Sequence, residues 1–240
     1  MTVRIGLVVE GPTDFAVIEA LITARFRASH PELELQFVEV QPSPDATSGS
    51  PGGGWSEVMR WCVRFPPEQR QRHFLDRPLL AQGIETRRCD VLLVILDADA
   101  SDHVAKHSHL PTPPPAPSPE DRGDFIRNTL VAWLWPDGRP TSADRHVVAA
   151  AVEAVETWIV AALGADHSPE NIADIWPHFV RTVNLALRPN AQRGVKKKRR
   201  NYAAISQRAV ATHHLVPSRC PSFRRICEDF EALIEHFNPA

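Results

Sequence analysis

Lysine and tyrosine are rare in this chain, and cysteine is sparse. There are four lysines and one tyrosine among 240 residues. The four cysteines, Cys62, Cys89, Cys220 and Cys227, form no CxxC pair. Nothing at the N-terminus joins a basic region to a long apolar stretch and a cleavage site, so a reducing cytoplasm is the expected compartment. No apolar run approaches the roughly 20 residues that a membrane span needs, so no membrane association is expected. A phosphate loop of the form GxxxxGKS or GxxxxGKT is missing too, and ATP cannot be bound by that route. Nor is there a large net charge. The 27 basic and 29 acidic residues leave −2, which excludes global electrostatic capture of nucleic acid and leaves a local basic patch as the remaining route.

Apolar residues, by contrast, are plentiful. At 43% hydrophobic the chain can bury a full core without staples. The pattern points to the α/β class, with a central, mainly parallel, Rossmann-like sheet flanked by helices and a helical C-terminal portion. The expected division is an α/β domain over residues 1–165 and a helical extension over 166–240 packing on it. Long Pro- and Gly-rich loops are expected at 41–54 and 108–119.

A strand over 3–9, a helix over 14–28 and a strand over 33–40 open the chain as a βαβ unit. The stretch QPSPDATSGSPGGGW is too poor in apolar residues to pack and reads as a long mobile loop. A helical region follows over 55–83, interrupted at Pro66-Pro67. The run from Val91 to Leu96 is apolar throughout, as in a central parallel strand buried on both faces. PTPPPAPSP can be neither helix nor sheet and reads as an extended, partly disordered connection. Beyond it come a helix ending near LVAWLWP, a strand HVVAAAV and a helix starting near Glu153. From Ser168 onward, three segments carry apolar residues at helical spacing.

Carboxylates cluster just past the strands. Glu10 and Asp14 follow the first, Asp97 and Asp99 the third, and Glu153 and Glu156 the fourth. In an open α/β sheet such strand ends form one functional edge. Six carboxyl groups massed without basic partners would repel one another, and a bound cation relieves that repulsion. Hard divalent ions such as Mg2+ take oxygen ligands of this kind. Each group also has a structural alternative. Asp14, or Thr13, could cap the first helix, and Glu153 and Glu156 sit where the helix dipole favours acids in any case. Asp97 and Asp99 have no ordinary packing role at the end of an apolar strand.

VVEGPTD after the first strand, LLVILDADASD after a later one and VEAVETWIVA opening a helix resemble the signature of Toprim domains. The similarity is closest to small Toprim-like bacterial proteins of unknown function related to the overcoming-lysogenization-defect nucleases. It runs over nearly the whole chain, CPSFRRICEDFEAL included. The long proline-rich region after Asp99 departs from the pattern.

The resemblance implies phosphodiester hydrolysis of DNA or RNA assisted by Mg2+ or Mn2+, with two ions roughly 4 Å apart clamping an in-line displacement. It places Glu10, Asp14 and Asp97 on one ion, and Asp99 with Glu156 on the other. Glu153 is a further candidate ligand, one turn from Glu156. A lysine after the helix glutamate acts near the phosphate in the related nucleases. The run RGVKKKRRNY supplies Lys196, Lys197 and Lys198 as candidates, with Lys197 taken as the catalytic one. Arg199 and Arg200 would grip the backbone. A basic run can equally be a solvated face. The resemblance also implies a separate ATPase partner and, by analogy, a role in phage defence. Oligomeric state is not legible.

Three other features carry a possible chemistry. Tyr202 directly follows the basic run and suits base stacking or helix packing better than covalent catalysis. His103 and His107 are four apart, a spacing that suits zinc on a helix. The six tryptophans, at 55, 61, 133, 135, 158 and 176, are spread along the chain in a way that favours packing. Two alternatives to a nuclease stand. ILDADAS is close to the nucleophile motif of haloacid-dehalogenase-type phosphatases, with Asp97 forming an aspartyl phosphate, although that motif normally belongs to the first strand. The other is a non-catalytic Toprim-like interaction module.

Overall fold

The computed structural model describes residues 1–41, 54–76, 88–107, 117–138, 145–165, 167–187 and 195–237. Most of the loop expected at 41–54, the end of the helical region over 77–83, and the proline-rich stretch over 108–116 lie outside the described residues.

Strands β1 (Thr2–Val8), β2 (Glu34–Gln41), β3 (Val91–Asp97) and β4 (His146–Ala151) form one sheet. Their order is β2-β1-β3-β4, and every pairing is parallel. The α/β expectation is thus met by an all-parallel sheet. Helices α1 (Pro12–Ser29), α2 (Trp55–Arg64), α3 (Pro67–Arg70), α4 (Ser101–His107), α5 (Pro119–Leu134) and α6 (Glu156–Leu163) follow the strands in turn. The C-terminal portion is helical, as expected, in α7 (Ile175–Leu187), α8 (Arg199–Ala209), α9 (Val216–Arg219) and α10 (Pro221–Phe237). No helix among the described residues is long and apolar enough to cross a membrane.

Strand β3 explains the architecture. Its side chains alternate between the faces, and all six apolar ones are buried. Val91, Leu93 and Ile95 join one core, with α1 and the C-terminal aromatics Phe179, Phe223 and Phe230. Leu92, Val94 and Leu96 join a second core under α2 and α5. The continuous apolar run is what two covered faces require.

Close packing leaves Gly6 no room for a side chain. A Cβ there would stand 2.6 Å from the Cys89 Sγ and 2.8 Å from Leu92 Cδ2. Gly6→Ala is therefore expected to destabilise the protein by about 1–3 kcal/mol, read as a lowered denaturant midpoint with an unchanged slope. The break at Pro66-Pro67 is also present. α2 stops at Arg64, and α3 passes directly into a π-helical turn, Gln71–Leu75. Arg70 is fully buried there but satisfied. It donates to the Phe65 and Leu134 carbonyls, each at 2.6 Å, and to His146 Nε2 at 3.1 Å.

Two boundaries differ from expectation. α1 begins at Pro12, not Asp14, because Gly11 takes the extended cap conformation and proline suits the first helical position. α6 begins at Glu156, since Glu153 has φ 61 and turns the chain in the left-handed region before the helix starts.

Candidate functional site

Hydrogen bonds tie the C-terminal ends of three strands together. Glu10 follows β1, and its Oε1 accepts from the Asp97 N–H at 2.9 Å. The Asp99 N–H donates to the Glu153 carbonyl at 3.0 Å, joining the end of β3 to that of β4. Asp99 lies in a 3-10 turn, Ala98–Ala100, that bends the chain away from the strand direction. Across this turn Asp97 still feels the charge of Asp99.

Asp14 is neither a free side chain nor the helix cap. It is the third residue of α1, where Oδ2 accepts from the Gly11 N–H at 2.8 Å and Oδ1 from the Thr13 hydroxyl at 3.1 Å. Glu156, the first residue of α6, is 3% exposed. Its Oε1 accepts from the Tyr202 hydroxyl at 2.5 Å and lies 3.5 Å from Lys197 Nζ.

The electrostatics show five carboxylates crowding one space. Burial pushes Glu10 up to about 8, with Asp14 and Asp99 adding repulsion against the Asp97 N–H. Asp14 is raised to about 6 by burial and then by Glu156. Asp97 is held well above the usual carboxylate range, first by burial and then by Glu10, Asp14, Glu156 and Asp99. Asp99, the most open of them, is raised by desolvation and by Glu156 while Lys197 pulls the other way. Desolvation would lower the Lys197 ammonium, but Glu156, Asp97 and Asp14 outweigh it and raise it.

Of the three clustered lysines, Lys197 is the one that reaches the carboxylates. Its Nζ also sits 4.9 Å from the ring centroid of Trp176, a cation–π contact that fixes the ammonium from a second side. Lys196 and Lys198 are exposed, and Lys198 occupies the cap position of α8. Arg200 is exposed as well. Arg199 is engaged elsewhere, with Nη1 2.7 Å from Glu39 Oε2 and its guanidinium 4.7 Å from the Phe15 ring centroid.

Two expected site residues are corrected. Glu153 does not share a helix face with Glu156. The turn at φ 61 directs its carboxylate to an ion pair with Arg122 of α5. Tyr202 cannot stack on a base, because it is fully buried between Phe179 and Glu156. Its hydroxyl is raised by burial first and then by Glu156, so it stays a neutral donor. Trp176 is the residue that sequence reading missed. It stands 21 positions before Lys197, and no local pattern links an indole to a lysine at that separation.

The donor set is all oxygen, which suits a hard divalent cation over a soft one. Among the described residues no three His, Cys, Asp or Glu side chains form a ready-made coordination group. Oxygens of Glu10, Asp14 and Glu156 each accept from an N–H or O–H donor. His103 and His107 find no third ligand for zinc among the described residues either. A separate cavity of about 570 Å³ between α5, β4 and α10 contains none of the clustered carboxylates. Comparison of the chain with protein-family models, with curated proteins and with solved structures finds no match.

Proposed function

We propose that this protein is a Toprim-type nuclease, dependent on Mg2+ or Mn2+, that hydrolyses phosphodiester bonds of DNA or RNA. The observation that carries the proposal is the gathering of Glu10, Asp14, Asp97, Asp99 and Glu156 from three strand ends around a single lysine. So many carboxylates in one partly desolvated space are costly unless a cation binds them. Glu10, Asp14 and Asp97 are assigned to one ion, and Asp99 with Glu156 to a second. Bound there, divalent ions would neutralise the phosphate and lower the pKa of the attacking water.

The protein's own groups do the rest. Glu156 and Trp176 hold the Lys197 ammonium where it can offset charge on the phosphate. Tyr202 occupies one Glu156 oxygen and orients the carboxylate for its remaining partners. The proposal extends to a cytoplasmic setting, a separate ATPase partner and a role in phage defence.

Calorimetric titration of Mn2+ into wild type and into an Asp97→Ala, Asp99→Ala double variant tests it, with nicking of supercoiled DNA and cleavage of RNA followed in parallel. Binding and cleavage are expected in wild type and lost together in the variant. A wild type that binds no Mn2+ overturns the proposal and leaves the interaction module as the better account.

A further inference from the structure

We propose that Trp55 and His107 form a stacking shelf for an unpaired base of single-stranded nucleic acid, placed beside the carboxylate cluster. The inference rests on the nuclease reading and specifies its substrate class.

Two helices bring the shelf to the site from opposite sides. α2 starts against Glu10, where the Gly54 N–H donates to the Glu10 carbonyl at 3.2 Å. Gly54 has φ 104, and a Cβ on it would lie 3.5 Å from Glu10 Oε2. The backbone thus passes close by the carboxylate, and the next residue is Trp55. On the other side, α4 leads away from Asp99. Asp99, His103 and His107 recur every four positions and share one face through the turn and helix. His103 is near enough to Asp99 to stabilise its charge.

The two helices meet in the Trp55–His107 pair, with ring centroids 5.3 Å apart and planes inclined at 31°. Trp55 is half-buried against the second core, whereas His107 and its neighbour Lys106 are exposed. The indole is anchored in the core, and the imidazole stacked against it is the exposed ring of the pair.

The chemistry selects an unpaired base. Arg122 and Arg199 are engaged by Glu153 and Glu39, and the phosphate contact assigned to Lys197 does not distinguish paired from unpaired strands. Stacking on an aromatic surface needs no net charge and tolerates any sequence. It does need a base whose face is free, which a duplex does not offer.

The test measures binding of a dye-labelled oligothymidylate of about 12 nucleotides and of a duplex of the same length, with Ca2+ in place of Mg2+ to prevent cleavage. Trp55→Leu keeps the apolar packing but removes the ring; Trp55→Phe keeps a ring. The leucine variant is expected to bind the single strand about tenfold more weakly or worse. The phenylalanine variant retains most of the affinity. Both bind duplex and Mn2+ as wild type does. Should circular dichroism show the leucine variant unfolded, His107→Ala decides, with about fivefold weaker single-strand binding expected. Unchanged single-strand affinity in the folded leucine variant removes the shelf and leaves the nuclease reading standing. A wild type that ignores the oligonucleotide also removes the shelf, and if it binds no Mn2+ either, the nuclease reading falls with it.

Discussion

Asp97→Asn is expected to lose Mn2+ binding and to cut cleavage about a thousandfold or more, while raising the melting temperature of the metal-free protein at about pH 8 by several degrees. The two effects have one cause. Asp97 ends β3 where Glu10, Asp14, Glu156 and Asp99 all repel its charge, and burial holds its carboxyl well above the usual range. Asparagine has the same shape and removes one charge from that group. The Glu10 contact survives, because its donor is the main-chain N–H of residue 97. Stability rises and function is lost, the usual relation at a site that stores unfavourable charge. Thermal unfolding in EDTA, with calorimetry and nicking assays on the same preparation, provides the check. A destabilised variant would contradict the charge crowding, and persistent cleavage would remove Asp97 from the catalytic groups.

The second large effect concerns pH. Glu10 is raised to about 8 and Asp14 to about 6, above the values of an unfolded chain. The native state therefore holds protons that the unfolded state has already released. Stability is greatest below the unfolded values and is lost as pH rises through the folded ones. In EDTA the melting temperature is expected to fall by about 5 °C or more between about pH 5 and about pH 8. Carboxyls that fall below their ordinary values, such as Asp121 under its bonds from Ser118, act in the opposite sense, but only at more acid pH. Addition of Mn2+ at about pH 8 should restore the loss, since a ligand that binds the native state alone stabilises it by mass action. A flat metal-free profile, or one rising with pH, would mean that the carboxylates do not feel one another as the structure places them.

Much of this was legible in the residue order, for local reasons. Val91–Leu96 has no polar residue on either face, and its length and β-branched residues suit a strand covered on both sides. The positions of Glu10, Asp97 and Asp99 follow from the strand ends, because a parallel sheet delivers all its C-terminal ends to one edge. The run of three lysines marks the cation source, but nothing local in it prefers Lys197 over Lys196 or Lys198.

What remained hidden depended on side-chain direction and on distant partners. Glu153 and Glu156 were indistinguishable as helix-opening acids until φ 61 at Glu153 turned one toward Arg122 and left the other beside Tyr202. Tyr202 follows a basic run and by sequence suits either base stacking or helix packing. Its burial comes from Phe179, 23 positions earlier, across a core that no local pattern reveals. Lys197 was singled out by Trp176 on α7 and Glu156 on α6, not by its neighbours in the chain. Residue type and period thus determined the sheet, its order of burial and the edge where acids collect, since these depend on hydrophobicity and strand direction alone. Only the tertiary structure decided which carboxylates face one another and which cation joins them, because that depends on one turn of backbone and on aromatic partners brought in from remote helices.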